Sequence, residues 1–180
     1  MAVAILKMSV SLDGYVASAD GNDDWAAAGR SDDGAAWTLE TVRNASAHLI
    51  GAGTYAGWAT FWPSAAGPFA APMNELPKFV FSGSLETAEW AGTSIVSGDL
   101  AESVARLKAE HGDGYLLAQG GVRFARSLVA AGLIDEYRLV VHPVVLGAGE
   151  RLFTTPLAIE PISTLAFSGG AVAHVFAARS

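Results

Sequence analysis

The sequence contains no cysteine, which excludes disulfides, thiolate catalysis and cysteine-ligated zinc. Histidine is sparse and scattered. His48, His111, His142 and His174 share no paired spacing, so the pattern argues against a metal centre. No basic run occurs, and a net charge of −7 makes nucleic acid and anionic membrane poor partners. No apolar run reaches the roughly 20 residues that a membrane-spanning helix needs. The opening MAVAILKMSVSLDG has a lysine within its short apolar run and no cleavage signature, so it does not read as a secretory signal, and the cytoplasm is the expected compartment. The dinucleotide fingerprint GxGxxG is missing, as are internal repeats, linkers and low-complexity tracts.

What the chain does have is apolar bulk. With 180 residues, 51% hydrophobic and 16% charged, it suits one well-buried domain over residues 1–180 that needs no staples.

The organising stretch is YLLAQGGVRFARSLVAAG, Tyr115 to Gly132. Tyr115 to Ala118 is a short apolar run before a glycine break, the pattern of a strand buried on both faces. After Gln119, Gly120 and Gly121, the residues Phe124, Ala125, Leu128 and Val129 recur at helical spacing, and Gly132 supplies a C-terminal stop. Strand, Gly-Gly turn and helix leave free N–H groups and partial positive charge at Val122, where a phosphate would sit well. A tight turn with no ligand is the other reading of the same glycines.

Earlier in the chain, Ala2 to Val10 reads as a first strand with Lys7 as its polar exception, broken by Ser11-Leu12-Asp13-Gly14. Tyr15 to Ala19 is a short extended piece. Asp20 to Asp24, Trp25 and the glycine-rich residues up to Gly34 form either a ligand loop or a solvated connection. Ala35 to Ala47 reads as a helix, with Asp33 or Ser31 as its cap. His48-Leu49-Ile50 is a strand running into Gly51-Ala52-Gly53-Thr54-Tyr55. Ala56 to Met73, rich in Trp, Pro and Ala, shows no regular pattern, and its Trp58, Phe61 and Trp62 read as packing residues.

Lys78 to Phe81 is a strand ending in Ser82-Gly83-Ser84, and Thr93 to Val96 is another. Asp99 and Glu102 have capping-box spacing before a helix that stops near Gly112. Ile134 to His142 is a strand, and His142, before Pro143, reads as a structural turn residue. Ile162 to Phe167 and Ala171 to Ala177 flank Ser168-Gly169-Gly170 as a β-hairpin. Strands alternating with helices predict an α/β fold with a mostly parallel sheet, helices on both faces and a C-terminal antiparallel hairpin. Ligands bind such sheets outside the carboxyl ends of the strands, and three ends here are small and polar: GAGT, SGS and QGG.

The ordered set of Ser11-Leu12-Asp13-Gly14, Leu49 to Tyr55, the strand into Ser82, Gly120-Gly121, Gly132 to Glu136 and His142 to Gly147 resembles the riboflavin-biosynthesis reductase domain family, which shares the dihydrofolate reductase fold. That resemblance implies NADPH-dependent reduction of a small heterocycle or sugar-linked pyrimidine, with NADH as the alternative cofactor, and a homodimer paired through the sheet and C-terminal region. It implies that Gly51, Ala52, Gly53 and Thr54 hold the cofactor pyrophosphate together with Gly120, Gly121 and Val122. Ser82, Gly83 and Ser84 would lie near the adenosine ribose, and Trp25 would cover the site.

Hydride transfer often needs a proton donor beside the cofactor. Asp13 and Asp33 are the candidates. Asp13 is otherwise a turn-forming Asp-Gly, and Asp33 a helix cap near the position where dihydrofolate reductases keep a substrate carboxylate. Relatives usually carry arginine where this chain has Ala52, and often a basic residue where it has Gly83. Their absence predicts weak NADPH binding with little preference over NADH, unless Lys78 or Arg30 supplies the charge. It also keeps open a non-catalytic nucleotide-binding homologue of the same fold.

Overall fold

A computed structural model describes residues 1–179. The chain opens with β1 (Val3–Ser11) and the short β2 (Tyr15–Ser18), followed by a single 3-10 turn at Asp24–Ala27. Then come α1 (Asp32–Arg43), β3 (Ala47–Gly51), α2 (Ala52–Phe61), α3 (Ala70–Glu75), β4 (Lys78–Phe81) and β5 (Thr93–Val96). The second half holds α4 (Leu100–Glu110), β6 (Tyr115–Gln119), α5 (Val122–Ala130), β7 (Glu136–His142), β8 (Gly149–Arg151), β9 (Ile159–Ala166) and β10 (Val172–Ala178).

Eight strands form one sheet in the order β5-β4-β3-β6-β1-β7-β10-β9, and β2 pairs with β8 in a separate ribbon. The first six in that order run parallel, and β10 and β9 close the sheet as an antiparallel hairpin. Lys7 on β1 stands opposite Gln119 on β6 and Arg138 on β7. The chain leaves β1 for β3 on one side, whereas β6 leads through α5 to β7 on the other. Such a reversal opens a crevice at the carboxyl edge of an α/β sheet.

The period of two along each strand explains the core. Ala4, Leu6 and Met8 of β1 join Leu49, Leu116, Ala118 and Tyr137 under Val104 and Leu107 of α4 and Ala125 and Leu128 of α5. The alternate residues Ile5, Ile50, Val80 and Leu117 pack on the other face with Val42 of α1, Tyr55 of α2 and Met73 of α3. On that second face β1 continues as Lys7 and Ser9, which join no core cluster and line cavities instead.

The predicted α/β fold with its terminal hairpin is the observed one, and β4 and β5 occupy their predicted residues. Asp99 caps α4 by accepting a hydrogen bond from the Glu102 amide, as its spacing required. Three local expectations are corrected. The first helix starts at Asp32 and ends at Arg43, because Ser31 is the extended N-cap residue and Ala47 already belongs to β3. Asp33 is therefore not its cap but lies in the first turn. The segment after Gly51 is not irregular. The strand passes directly into α2, and helical structure resumes in α3 after a 3-10 turn at Trp62–Ser64. Apolar residues lie all around α2, so it shows no one-sided stripe to read. Finally, β8 escaped notice because it is three exposed residues long and pairs only with β2.

No helix among the described residues is long and apolar enough to cross a membrane. Among the same residues no cluster of three His, Cys, Asp or Glu side chains could hold a metal ion.

Candidate active site

The carboxyl edges of β4, β3, β6, β1 and β7 carry three cavities that share walls. The first, about 680 Å³, is lined by Gly51–Thr54, Ser82–Ser84 and Gly121–Phe124. The second, about 520 Å³, shares Gly121 and Val122 with it and adds Gln119, Gly120, Trp58, Trp25, Lys7 and Ser9. The third, about 370 Å³, shares Lys7, Ser9 and Ala26 with the second and continues to Arg30, Ser31, Thr38, His142 and Phe167. Shared walls make these one cleft with two ends. All ten residues expected to hold a cofactor, Gly51 to Thr54, Ser82 to Ser84 and Gly120 to Val122, line its first two parts.

Local geometry explains the glycines at the first end. Gly51 is the N-cap of α2, and a Cβ there would come within 2.7 Å of Phe124 Cβ. Gly121 is the N-cap of α5 with φ 68°, and a Cβ there would collide with Thr54 Oγ1. The N-termini of α2 and α5 therefore meet at Thr54 and Gly121, and this contact has no room for a side chain. Two helix starts, each with free N–H groups and a positive dipole end, suit an anionic diphosphate. A nicotinamide dinucleotide fits this donor set: backbone amides at Gly51–Thr54 and Gly121 for the pyrophosphate, hydroxyls at Ser82 and Ser84 beside the ribose, and an elongated slot leading to Lys7.

At the junction of the second and third cavities stands Lys7. Its ammonium makes no hydrogen bond or ion pair among the described residues, and burial lowers its pKa to about 8. Trp25 lines the second cavity together with Lys7. Its indole Nε1 is buried without a partner, and its ring meets the His142 imidazole edge-on at 5.7 Å.

His142 is not the turn residue expected. It ends β7, is buried, and faces the cavity. Nδ1 lies 2.8 Å from the Ala28 carbonyl, which can only accept, so Nδ1 carries the proton. Nε2 then accepts from Ser9 Oγ at 3.1 Å. Burial lowers the His142 pKa, and the charges of Lys7 and Arg30 lower it further against the opposing Ala28 bond, so the ring is neutral. Ser31 Oγ is buried in the cavity wall without a hydrogen-bond partner.

The two aspartates expected as proton donors are occupied elsewhere. Asp13 accepts from Ser11 Oγ at 2.7 Å, from the Leu146 amide at 3.1 Å and from the Gly147 amide at 2.7 Å. The Ser11 bond first, then the two amides, hold its pKa down to about 2. Asp33 accepts from the Ser168 amide and hydroxyl, both at 2.8 Å, and from the Gly34 amide at 3.0 Å. The nearby Ser31 hydroxyl, outside hydrogen-bond geometry, and then Ser168 hold its pKa to about 2. Both carboxylates are ionised at neutral pH, and neither lines any part of the cleft. Each clasps a distant loop: Asp13 the one at 146–147, Asp33 the hairpin turn.

Lys78 cannot supply charge to the cleft either. It is fully buried, and its Nζ donates to the carbonyls of Asn74 and Leu76 at 2.7 Å each.

The family described as the RibD C-terminal domain matches residues 2–172. The chain belongs to that family. A Bacillus subtilis (strain 168) relative of the RibD C-terminal domain chain, described as "Uncharacterized protein YwjB", is 30% identical over 151 residues, covering 83% of this chain and 81% of its own. Among solved structures, the diaminohydroxyphosphoribosylaminopyrimidine deaminase/5-amino-6-(5-phosphoribosylamino)uracil reductase of Thermotoga maritima is similar with a TM-score of 0.71 at 18% identity, over 99% of this chain and 57% of that one. A dihydrofolate reductase from Enterococcus faecalis complexed with NADP(H) is similar with a TM-score of 0.64 at 12% identity, over 99% and 97% of the two chains. At these identities the two structures establish the shared fold.

Sequence reasoning missed Lys7, Ser9 and Ser31 as site residues. A signal for the first two exists. Ile5, Lys7, Ser9 and Ser11 are every second residue of β1, and this face turns polar toward the carboxyl end. Reading the strand as an apolar run with one exception hid that gradient. Nothing local marks Ser31, whose place in the wall depends on where α1 docks.

Proposed function

We propose that the chain is an NADPH-dependent reductase of a small, carbonyl-bearing heterocycle or sugar-linked pyrimidine. The observation that carries this reading is the partnerless Lys7 ammonium at the point where a dinucleotide-shaped groove opens into a separate cavity. When bound, the dinucleotide supplies a hydride. The remaining work falls to the protein. The helix starts at Gly51–Thr54 and Gly121 hold the pyrophosphate, Trp25 shields the junction from water, and Lys7 donates a proton to the reduced substrate. With a pKa near 8, Lys7 is mostly protonated at neutral pH yet releases its proton more readily than an ordinary lysine.

The far cavity argues for the substrate class. Its charged walls are Lys7 and Arg30, it has no carboxylate, and Ser31 Oγ is an unmet polar group. An amidine ring of the diaminopyrimidine type needs an acceptor there, and Asp33 is tied to Ser168 instead. Carbonyl oxygens and anionic groups match the donors present. The Thermotoga maritima reductase is named for a phosphoribosylamino-uracil, which carries both.

The test is NADPH oxidation with a phosphorylated ribosylaminopyrimidine and, separately, with a dihydropteridine. Turnover of the first and not the second is expected. Turnover of the pteridine alone would overturn the substrate reading. Tight NADPH binding with no turnover of any carbonyl-bearing pyrimidine, pteridine or quinone would leave the non-catalytic nucleotide binder. We further propose a homodimer through the open β9 edge, where Ile162 and Leu165 are exposed. A monomeric mass by light scattering at micromolar concentration would contradict it.

A further inference from the structure

We infer that Arg123 reads the cofactor's extra phosphate and sets a preference for NADPH over NADH. The inference rests on the reductase reading of the cleft. It reverses the expectation, drawn from Ala52 and Gly83, that the groove lacks the charge to discriminate.

Among the described residues, only two charged side chains line the groove at the Ser82–Ser84 end: Arg123 and Glu150. The Glu150 carboxylate is paired with Arg126 at 2.8 Å, so the pair contributes little net charge. Arg123 is exposed, and its guanidinium makes no hydrogen bond or ion pair among the described residues. Lys78 is sealed in the core and Arg30 lines the opposite end of the cleft, so neither reaches this groove.

Arg123 also stands where local physics disfavours it. It is the second residue of α5, and the first turn of that helix holds no acidic residue. A cation at a helix N-terminus opposes the helix dipole, so this position normally favours Asp or Glu. A pyrophosphate held at this helix end relieves that repulsion, and Arg123 then borders the cavity it shares with Ser82–Ser84. Helical side chains lean back toward the N-terminus, which directs the Arg123 stem to the mouth of α5 and away from its body.

The opposite wall completes the recognition. Ser82 Oγ accepts hydrogen bonds from the Ser84 amide at 3.2 Å and the Leu85 amide at 3.0 Å. Its lone pairs are engaged, so its O–H is free to donate into the groove. A guanidinium fork and a hydroxyl donor, with no unpaired carboxylate between them, suit a phosphate monoester better than a free ribose hydroxyl.

The experiment measures dissociation constants of NADPH and NADH by fluorescence titration, and of adenosine 2′,5′-bisphosphate and 5′-AMP by calorimetry. The proteins are wild type, Arg123→Gln and Arg123→Lys, with thermal melts as folding controls. Wild type should bind NADPH about tenfold more tightly than NADH, from one charge-assisted hydrogen-bond set. Arg123→Gln should lose that factor for NADPH and for the bisphosphate while NADH and 5′-AMP change less than about twofold, and Arg123→Lys should keep part of it. Equal weakening of all four ligands would place Arg123 on the pyrophosphate and overturn the inference, as would no change in any. Wild type that binds both dinucleotides without preference would overturn the inference while leaving the reductase reading intact. Failure to bind either would overturn both.

Discussion

The two ends of the cleft are built from different materials. The end proposed for the dinucleotide is made of backbone: Gly51, Gly121 and the starts of α2 and α5 meet so closely that a side chain at either glycine has no space. The end proposed for the substrate is made of side chains: Lys7 and Ser9 from β1, Arg30 and Ser31 before α1, His142 from β7 and Phe167 near the hairpin turn. Backbone recognition constrains residue type at each position separately, since a left-handed φ or a tight approach excludes every residue except glycine. Side-chain recognition constrains only the assembled set. A cavity wall drawn from several separate parts of the chain leaves no local mark.

The sharpest way to break this division is at Lys7, which belongs to both ends. Lys7→Met should lower turnover by about 10²–10⁴-fold, the usual contribution of a positioned acid, with NADPH affinity nearly unchanged. Wild-type turnover should fall as pH rises through about 8, when Lys7 loses its proton. The folded-state pKa lies below the unfolded value of 10.5, so the protonated lysine opposes folding at neutral pH, and Lys7→Met should raise the thermal midpoint. An unchanged rate together with a raised midpoint would reduce Lys7 to a tolerated burial.

Next in size is the effect of His48, which lies on the same face of the sheet as Lys7 but is sealed in the core. It is fully buried, and neither ring nitrogen has a partner of hydrogen-bond geometry. Burial lowers its pKa from 6.5 to about 4, with Lys78 adding to the shift and the Pro72 carbonyl opposing it. Because the folded pKa is the lower one, the unfolded chain takes up the proton first, so stability falls as pH drops from about 6.5 toward 4. The total is on the order of 3 kcal/mol. Urea unfolding at pH 7 and pH 4.5 should show this loss, and His48→Leu should remove most of it. Lys7, bordered by cavities, should affect activity, whereas His48, set between Lys78 and Leu117 on the neighbouring strands, should affect only acid stability.

Gly121→Val tests the backbone end. Its φ of 68° and the collision with Thr54 should cost about 1–3 kcal/mol of stability, and dinucleotide binding should weaken beyond what the lost folded fraction explains. Binding that scales only with folded protein would make Gly-Gly a turn and nothing more.

The smallest effect belongs to the clasps. Asp33→Asn keeps an acceptor for the Ser168 amide and removes a charge from an exposed site, so turnover should change by less than about threefold. A loss comparable to that of Lys7→Met would restore Asp33 to the chemistry. The depressed pKa means that any stability from this carboxylate persists above pH 4 and is lost as pH falls toward 2.

Much of the fold was legible because the strands are short, apolar and bounded by glycine or serine. Lys78–Phe81 and Thr93–Val96 could be delimited to the residue, and Asp99 with Glu102 announced a helix start because both partners lie within one turn. The gathering of Gly51–Thr54, Ser82–Ser84 and Gly120–Val122 along one cleft was legible for the same reason: each strand end carries its own glycine. Asp13 and Asp33 were misread because their partners, the amides of Gly147 and Ser168, are 134 and 135 residues away. An aspartate beside a glycine or at a helix start looks the same whether it faces a ligand or holds a loop. Arg123 was passed over as one polar residue of an amphipathic helix, since its meaning depends on Ser82 across the groove.

The Asp33–Ser168 clasp bears on the order in which the protein is made. Every strand end and helix start of the first cavity is synthesised by Phe124, with Ser127 and Glu150 the later contributors among the described wall residues. The third cavity waits for Phe167 and Ala171, and the hairpin turn that carries them is anchored to the first helix by the Ser168 hydrogen bonds to Asp33 and by Phe167 against Trp37. A chain emerging from the ribosome thus acquires the parts proposed to grip a nucleotide well before the wall proposed to choose what is reduced. Loss of the last fifteen residues would leave Ser168 uncopied, Asp33 unclasped and the cleft open at its selective end.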